Sequence, residues 1–316
     1  RMQTVPLGNT GVDVSALCLG AMYFGTRNDE RASYGLLDQY IAAGGAFIDT
    51  ANIYAHWIEG FRGGESEALL GRWMRERGNR NDLFLATKVG FELPGVERGL
   101  RAEQIEAEAE KSLRALGVET IDLYYAHVDD RNTPLDETLT AFHRLVESGK
   151  VRFVGASNYL AWRLEQAHWV SETNGWPAFC CVQQRHTYLR PKPGATFGAQ
   201  VSANADLLDY VRARRHDFTL LAYAALLAGA YVRDDRPVPD QYRGPDSDVR
   251  LSVLREVAAE VGATPNQVVL AWMLQGDPPV IPLVAASEPE HLAENLGALD
   301  VTLSAEQVQR LNEAGV

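Results

Sequence analysis

Short apolar runs recur along this chain, and between them apolar residues return every three or four positions. The runs cover residues 17–19, 47–48, 83–87, 121–125, 151–156, 180–182, 219–222 and 280–281. Continuous apolar runs of that length predict strands buried on both faces. The longer period predicts helices over 30–43, 66–75, 101–116, 135–148, 161–173, 204–214 and 249–261. Gly44, Gly117 and Gly149 fall just past helix ends, where a left-handed residue is wanted. Thr264 before Pro265 starts a further helix. Ser304 with Gln307 is a capping box for a last helix ending near Ala314.

Strand and helix alternating eight times imply parallel strands joined by crossovers. The polar residues ending three strands, Asp49, Lys88 and His127, stand 39 residues apart, close to an eighth of the chain. Units of that even size fit a closed (β/α)8 TIM barrel, an α/β fold, better than an open sheet. The 316 residues then form one barrel domain over 1–316, not the two domains that length alone suggests. Residues 4–15, turning at Gly8-Asn9-Thr10-Gly11, read as an N-terminal β-hairpin placed to plug the barrel, and helices close the C-terminal end. Two connections, 190–203 and 232–248, are too long for plain turns. Both follow strands, so they lie on the face where barrel active sites sit.

Composition adds exclusions. Hydrophobic residues at 46% and charged residues at 23% are ordinary for a globular chain that buries a large core. Lys plus Arg number 30 against 42 Asp plus Glu, a net charge of −12, which argues against nucleic acid or an anionic membrane as partner. The longest apolar stretch, 220–232, is too short to span a bilayer. The N-terminus lacks a signal-peptide layout, and Arg1 ahead of Met2 reads as an appended residue. Cys18, Cys180 and Cys181 make neither a disulfide framework nor a zinc spacing, which suits a reducing, cytoplasmic setting. Oligomeric state is not legible at this level.

In a barrel, residues directly after the strands converge on one mouth. Here they are Asp49, Lys88, His127, Asn158 and Gln183, with Tyr54 and Tyr223 nearby. Each alone has a plain explanation: a capping turn, a rim charge, a hydrogen-bonded core histidine. Together they suit proton transfer beside a carbonyl. A phenol is a weak acid, and a neighbouring ammonium favours its ionised form. A buried ammonium needs a counter-ion, which Asp49 supplies for Lys88. A neutral histidine donates one more hydrogen bond to a substrate oxygen.

Several stretches, in order along nearly the whole chain, resemble the aldo-keto reductases. They are Gly45-Ala46-Phe47-Ile48-Asp49-Thr50-Ala51 with Tyr54, then Gly64-Glu65-Ser66-Glu67-Ala68-Leu69-Leu70-Gly71, and Ala86-Thr87-Lys88. Asp122-Leu123-Tyr124-Tyr125-Ala126-His127 with Asp130 comes next, followed by Gly149-Lys150-Val151-Arg152 and Gly155-Ala156-Ser157-Asn158. Ile281-Pro282 with Glu294-Asn295-Leu296-Gly297 closes the pattern. The resemblance implies hydride transfer between a nicotinamide and a carbonyl or alcohol. It implies that Tyr54 is the general acid or base, that Lys88 with Asp49 tunes it, and that His127 orients the carbonyl. It places Ser157, Asn158 and Gln183 on the nicotinamide carboxamide and Tyr223 against its ring. Gln184 competes with Gln183 for that place, and strand phase favours Gln183. Leu226, Ala228, Gly229, Ala285, Ala286 and Ser287 match pyrophosphate and adenosine contacts, and Glu294 and Asn295 match adenine contacts. The lack of an early G-x-G-x-x-G turn agrees with this cofactor mode rather than a Rossmann one.

Two departures bear on specificity. Many family members carry Lys or Arg after the eighth-strand proline to hold a 2′-phosphate, whereas this chain has Leu283 to Glu288 without a cation, and His291 further on. A dianionic phosphate wants charge-assisted partners, so NADP(H) preference is expected to be weak and NAD(H) use open. The segment after Tyr54, with His56 and Trp57, is longer than the family's usual turn and would sit at the substrate mouth, where it suits a sugar, cyclitol or other hydroxylated carbonyl compound. Two other readings compete. A metal-dependent barrel hydrolase would need closely spaced histidines, and the seven here do not form that pattern, so no metal is expected. A slow or non-catalytic cofactor-binding regulatory subunit of the same fold would keep the nicotinamide site.

Overall fold

The computed structural model describes residues 1–316. Strands β1 (Thr4–Pro6) and β2 (Asp13–Ser15) pair antiparallel. The alternation then runs β3 (Cys18–Gly20), α1 (Glu30–Ala42), β4 (Phe47–Asp49), α2 (Glu65–Arg77), β5 (Phe84–Val89) and α3 (Ala102–Leu116). It continues β6 (Ile121–Ala126), α4 (Leu135–Glu147), β7 (Val151–Ser157), α5 (Ala161–Asn174), β8 (Cys181–Arg185), α6 (Ala205–Ala213) and β9 (Thr219–Tyr223). Helices α7 (Pro245–Val261) and α8 (Pro265–Leu274) precede β10 (Val280–Val284), and α9 (Pro289–Gly297) and α10 (Ala305–Glu313) follow it. Strands β3 to β10 close into a barrel with every neighbour parallel.

Strand phase divides the core into two. Leu19, Ile48, Leu85, Tyr124, Val154, Val182, Ala222 and Val284 face the helices. The alternate residues Cys18, Phe47, Phe84, Ala86, Leu123, Tyr125, Cys181, Leu221 and Ile281 fill the barrel, and Leu7 and Val14 close its lower end from the hairpin. One further step of the same phase carries Asp49, Lys88, His127, Ser157, Gln183 and Tyr223 to the opposite, C-terminal mouth. The hairpin sits tightly. The Gly8 amide donates to Thr219 Oγ1 at 2.8 Å. Gly8 has φ +50°, and a Cβ there would lie 2.5 Å from the Cys180 carbonyl oxygen, so only glycine fits.

Local signals act where the sequence places them. Thr264 and Ser304 both make full capping boxes. Gly117 is the left-handed cap of α3, and Gly44 and Gly149 take positive φ one residue beyond the caps of α1 and α4. Three boundaries differ from expectation. Strand β10 runs on through Pro282, which pairs in register with Ala222. Strand β8 extends to Arg185 because polar Gln183 and Gln184 continue the strand without continuing the apolar run. Helix α7 starts at Pro245, and its acidic first turn, Asp246 and Asp248, hides the apolar period there. The apolar period does not mark α9. Segment 190–203 folds back over the mouth: Ser202 bridges to Arg185, and the Val201 amide donates to Asn158 Oδ1 at 3.0 Å. No helix is long and apolar enough to cross a membrane.

Candidate active site

Lys88 from β5 and Asp49 from the end of β4 are both 0% exposed. The ammonium has three donors. They go to Asp49 Oδ1, to Tyr54 Oη at 2.6 Å and to the Thr50 carbonyl at 2.8 Å. Tyr54, in the turn after β4, also donates to Asp49 Oδ1 at 3.3 Å. Gln183 Nε2 donates to Asp49 Oδ2 at 2.9 Å, so both carboxylate oxygens are held. Burial lowers the Lys88 pKa, and Asp49 opposes that shift.

The stretch from Gly64 to Gly71 braces this group from outside the barrel. Ser66 Oγ bridges Thr50 Oγ1 at 2.8 Å and the Ala21 carbonyl at 2.7 Å. Glu67 accepts from Thr87 Oγ1 at 2.6 Å, directly beside Lys88. Burial pushes the Glu67 carboxyl up to about 7, against the hydrogen bond from Thr87.

The acidity of Tyr54 differs from the sequence expectation. Burial first, and the Asp49 carboxylate second, raise the phenol well above its ordinary value. Lys88 was expected to lower it. However, the ammonium shares its charge with the same Asp49 oxygen that faces the phenol, so the pair is close to neutral and desolvation prevails. The resting phenol is therefore protonated at neutral pH.

His127, one residue beyond β6, packs edge-on to Tyr54 with ring centroids 6.2 Å apart and to Phe91 at 4.7 Å. Its Nδ1 is buried without a partner. Burial, then Lys88, lowers its pKa well below the ordinary value, so the ring is neutral.

Asn158 ties the next strand ends together with φ 58°. Its Nδ2 donates to the His127 carbonyl at 2.9 Å and to Ser157 Oγ at 3.3 Å, and its Oδ1 accepts from Tyr223 Oη at 2.6 Å. Gln184 faces outward, where its amide exchanges hydrogen bonds with the backbone of Tyr159 at 2.6 and 3.2 Å. Gln183 is thus the glutamine at the mouth.

Beyond β9, Leu227, Ala228 and Gly229 take φ of 49°, 54° and 92°, a left-handed turn that also contains Leu226. Ala285, Ala286 and Ser287 follow β10, and Asn28 Nδ2 donates to the Ser287 carbonyl at 3.0 Å. Asn295 Nδ2 reaches toward the Ala285 carbonyl at 3.5 Å. Glu288 and His291 are exposed. Glu294 lines a cavity of about 410 Å³ with Tyr231, Arg233, Arg255 and Thr264. The two arginines are cations that a scan of the segment after β10 cannot find, because they come from the loop after β9 and from α7. The amides beside an aromatic ring fit the nicotinamide end of a dinucleotide, while the cavity sets Arg233 and Arg255 beside Asp234 and Glu294 and carries no net charge. Trp57 is 47% exposed, edge-on to His56 at 5.4 Å and to Tyr23 at 6.5 Å. Tyr23 and Phe91 were not singled out in the sequence, since neither lies at a strand end. No group of three or more His, Cys, Asp or Glu is placed to hold a metal.

A closed parallel barrel with this polar group at its C-terminal mouth, taken with the family match, marks an NAD(P)H-dependent oxidoreductase of barrel type. The sequence model described as the Aldo/keto reductase family matches residues 16–315, and the chain belongs to that family. It is 32% identical to the uncharacterized oxidoreductase YrpG of Bacillus subtilis (strain 168), an alignment covering 99% of this chain and 95% of that protein. It is 30% identical to norsolorinic acid reductase stcV of Emericella nidulans, covering 96% of this chain and 79% of the relative. It is 29% identical to the NADP(+) aryl-alcohol dehydrogenase of Phanerodontia chrysosporium, covering 96% of this chain and 83% of the relative.

Proposed function

We propose that the protein reduces a small carbonyl compound, or oxidises the matching alcohol, with Tyr54 as the proton donor or acceptor. The observation that carries this reading is the buried set of Asp49, Tyr54 and Lys88, whose phenol hydroxyl lies at the mouth beside a neutral His127. The bound nicotinamide supplies or accepts the hydride. Tyr54 gives its proton to the carbonyl oxygen in reduction, and Lys88 stabilises the phenolate that results. His127 donates a second hydrogen bond to the same oxygen, and its neutral state keeps it from competing for the proton. Ser157, Asn158 and Gln183 would hold the carboxamide and Tyr223 would face the ring, which sets orientation. Loss of carbonyl-dependent cofactor oxidation in Tyr54→Phe, with cofactor binding retained, tests the reading. A regulatory subunit would bind cofactor and turn over no carbonyl in the wild type. The buried free thiols and the charge of −12 support a cytoplasmic setting without nucleic acid as partner.

For the substrate, a sugar, cyclitol or other hydroxylated carbonyl suits the His56–Trp57 segment. The rings of Tyr23, Trp57 and Phe91 around the mouth favour a planar aromatic member of the hydroxylated class, as do relatives named for norsolorinic acid and aryl alcohols. Trp57→Ala is expected to raise KM for an aryl aldehyde about tenfold, the scale of losing one good aromatic contact, with kcat nearly unchanged. An unchanged KM for every carbonyl tried removes Trp57 from the substrate site.

Without a cation after β10, the adenosine 2′-phosphate has only Arg233 and Arg255 within the adjoining cavity. Arg233 already pairs with Asp235 at 2.6 Å. Values of kcat/KM for NADPH and NADH are therefore expected to lie within about tenfold of each other, given the modest strength of exposed ion pairs. A hundredfold NADPH advantage overturns this, and steady-state kinetics with both dinucleotides decides it.

A further inference from the structure

Two aromatic contacts at the mouth each end on an arginine, one in the segment that follows Tyr54 and one that reaches back to Tyr54 itself. On one side, Trp57 meets Tyr23 at 6.5 Å, and Arg27 lies over the Tyr23 ring with its Cζ 4.2 Å from the centroid. On the other, Tyr54 meets His127 at 6.2 Å, His127 meets Phe91 at 4.7 Å, and Arg98 Cζ lies 5.5 Å from the Phe91 centroid. Arg27 belongs to the loop after β3 and Arg98 to the loop after β5, so both rise from the C-terminal face.

Neither guanidinium lies within salt-bridge distance of a carboxylate, although the chain carries 42 acidic residues. Of the neighbouring arginines at this face, Arg101, Arg131 and Arg163 find carboxylate partners, whereas Arg62 in the loop after β4 does not. Arg101 pairs with Glu97 at 3.8 Å, and Arg131 and Arg163 both pair with Asp129. Glu59 and Glu92, in the same loops as the aromatic rings, are exposed and pair with neither arginine. A guanidinium that lies over a ring without a carboxylate partner has N–H donors left for an anion, and its fork matches a carboxylate. The loops that carry the two residues are fixed. Asn28 anchors the first to Ser287, and the Gly99 and Leu100 amides bind the Gly90 carbonyl and Asp130 Oδ2, both at 2.9 Å.

We infer that the mouth selects an aromatic carbonyl compound bearing a carboxylate, with the ring against Trp57 and Phe91 and the anion taken by Arg27 or Arg98. This rests on the reading of Tyr54 as the reacting acid. Its carbonyl would face Tyr54 and His127, and its charge would sit at the rim, away from the buried Asp49.

The test uses 4-formylbenzoate and its neutral methyl ester. Binding to protein saturated with oxidised cofactor is read by quenching of tryptophan emission, and kcat/KM is read with reduced cofactor. The carboxylate is expected to bind about tenfold or more tightly than the ester, the scale of a hydrogen bond to a charged group. That preference is expected to shrink with added salt and to disappear in the Arg27→Ala/Arg98→Ala double variant, whose ester binding stays the same. Equal binding of acid and ester overturns the inference, and so does a preference that survives the double variant. Tyr54→Phe is expected to keep the binding preference while losing turnover. A carboxylate preference in binding without turnover in the wild type upholds the recognition site and removes the catalytic role of Tyr54.

Discussion

Replacing Tyr54 with phenylalanine is expected to lower kcat for carbonyl reduction by about 10²–10⁴-fold, the usual contribution of a positioned general acid. The fold should survive. The ring packs with Ala51 and Ile53, and only the hydroxyl is lost. Lys88 keeps Asp49 and the Thr50 carbonyl as partners. Cofactor affinity should change little, because no residue assigned to the dinucleotide depends on the phenol. The pH dependence has a definite sign. Burial and Asp49 hold the phenol protonated above its ordinary range, so reduction should stay on a plateau through neutral pH and fall only under alkaline conditions. His127, held neutral by burial and Lys88, should add no break near its ordinary value. Stopped-flow or steady-state cofactor oxidation measures both. Turnover at the wild-type rate in Tyr54→Phe shows that another group delivers the proton.

Lys88→Met should be the most destabilising single change at the site. It leaves the Asp49 carboxylate fully buried with one amide donor and the Tyr54 hydroxyl, but no cation. Removing one partner of a buried ion pair costs about 3–5 kcal/mol. For a chain of this size, that corresponds to a fall in Tm of roughly 5–8 °C. The companion Asp49→Asn/Lys88→Met variant removes the orphaned charge as well and should recover much of the loss, while activity stays absent in both. Thermal unfolding followed by circular dichroism checks the pair. A double variant no more stable than Lys88→Met alone would place the cost in packing rather than in charge.

Much of this architecture was readable from local pattern. The barrel strands showed as apolar runs because both of their faces are buried, and the even spacing of Asp49, Lys88 and His127 reported one repeat of strand, helix and connection. Strand phase also separated Gln183 from Gln184, since a strand cannot send adjacent side chains to the same face. What escaped was whatever interrupts the local signal: Pro282 inside β10, the polar end of β8, and the acidic first turn of α7. The sequence pairs Asp49 with Lys88 and lets the ammonium lower the Tyr54 pKa. In the structure burial and the Asp49 oxygen shared by both groups raise it, a balance of three buried groups that no local pattern sets.

The sequence by itself determined the order of elements, the faces they bury and the set of polar residues that reach the mouth, because periods of two and 3.6 are properties of neighbouring residues. Tertiary structure decided the rest. Gln183 meets Asp49 across 134 residues of chain, and Tyr223 meets Asn158 across 65. Arg233 and Arg255 join Glu294 in one cavity, and Arg27 and Arg98 flank one mouth, only because the barrel closes. Closure brings the C-terminal loops of distant strands side by side, and no local pattern encodes which charges then meet or remain without a partner.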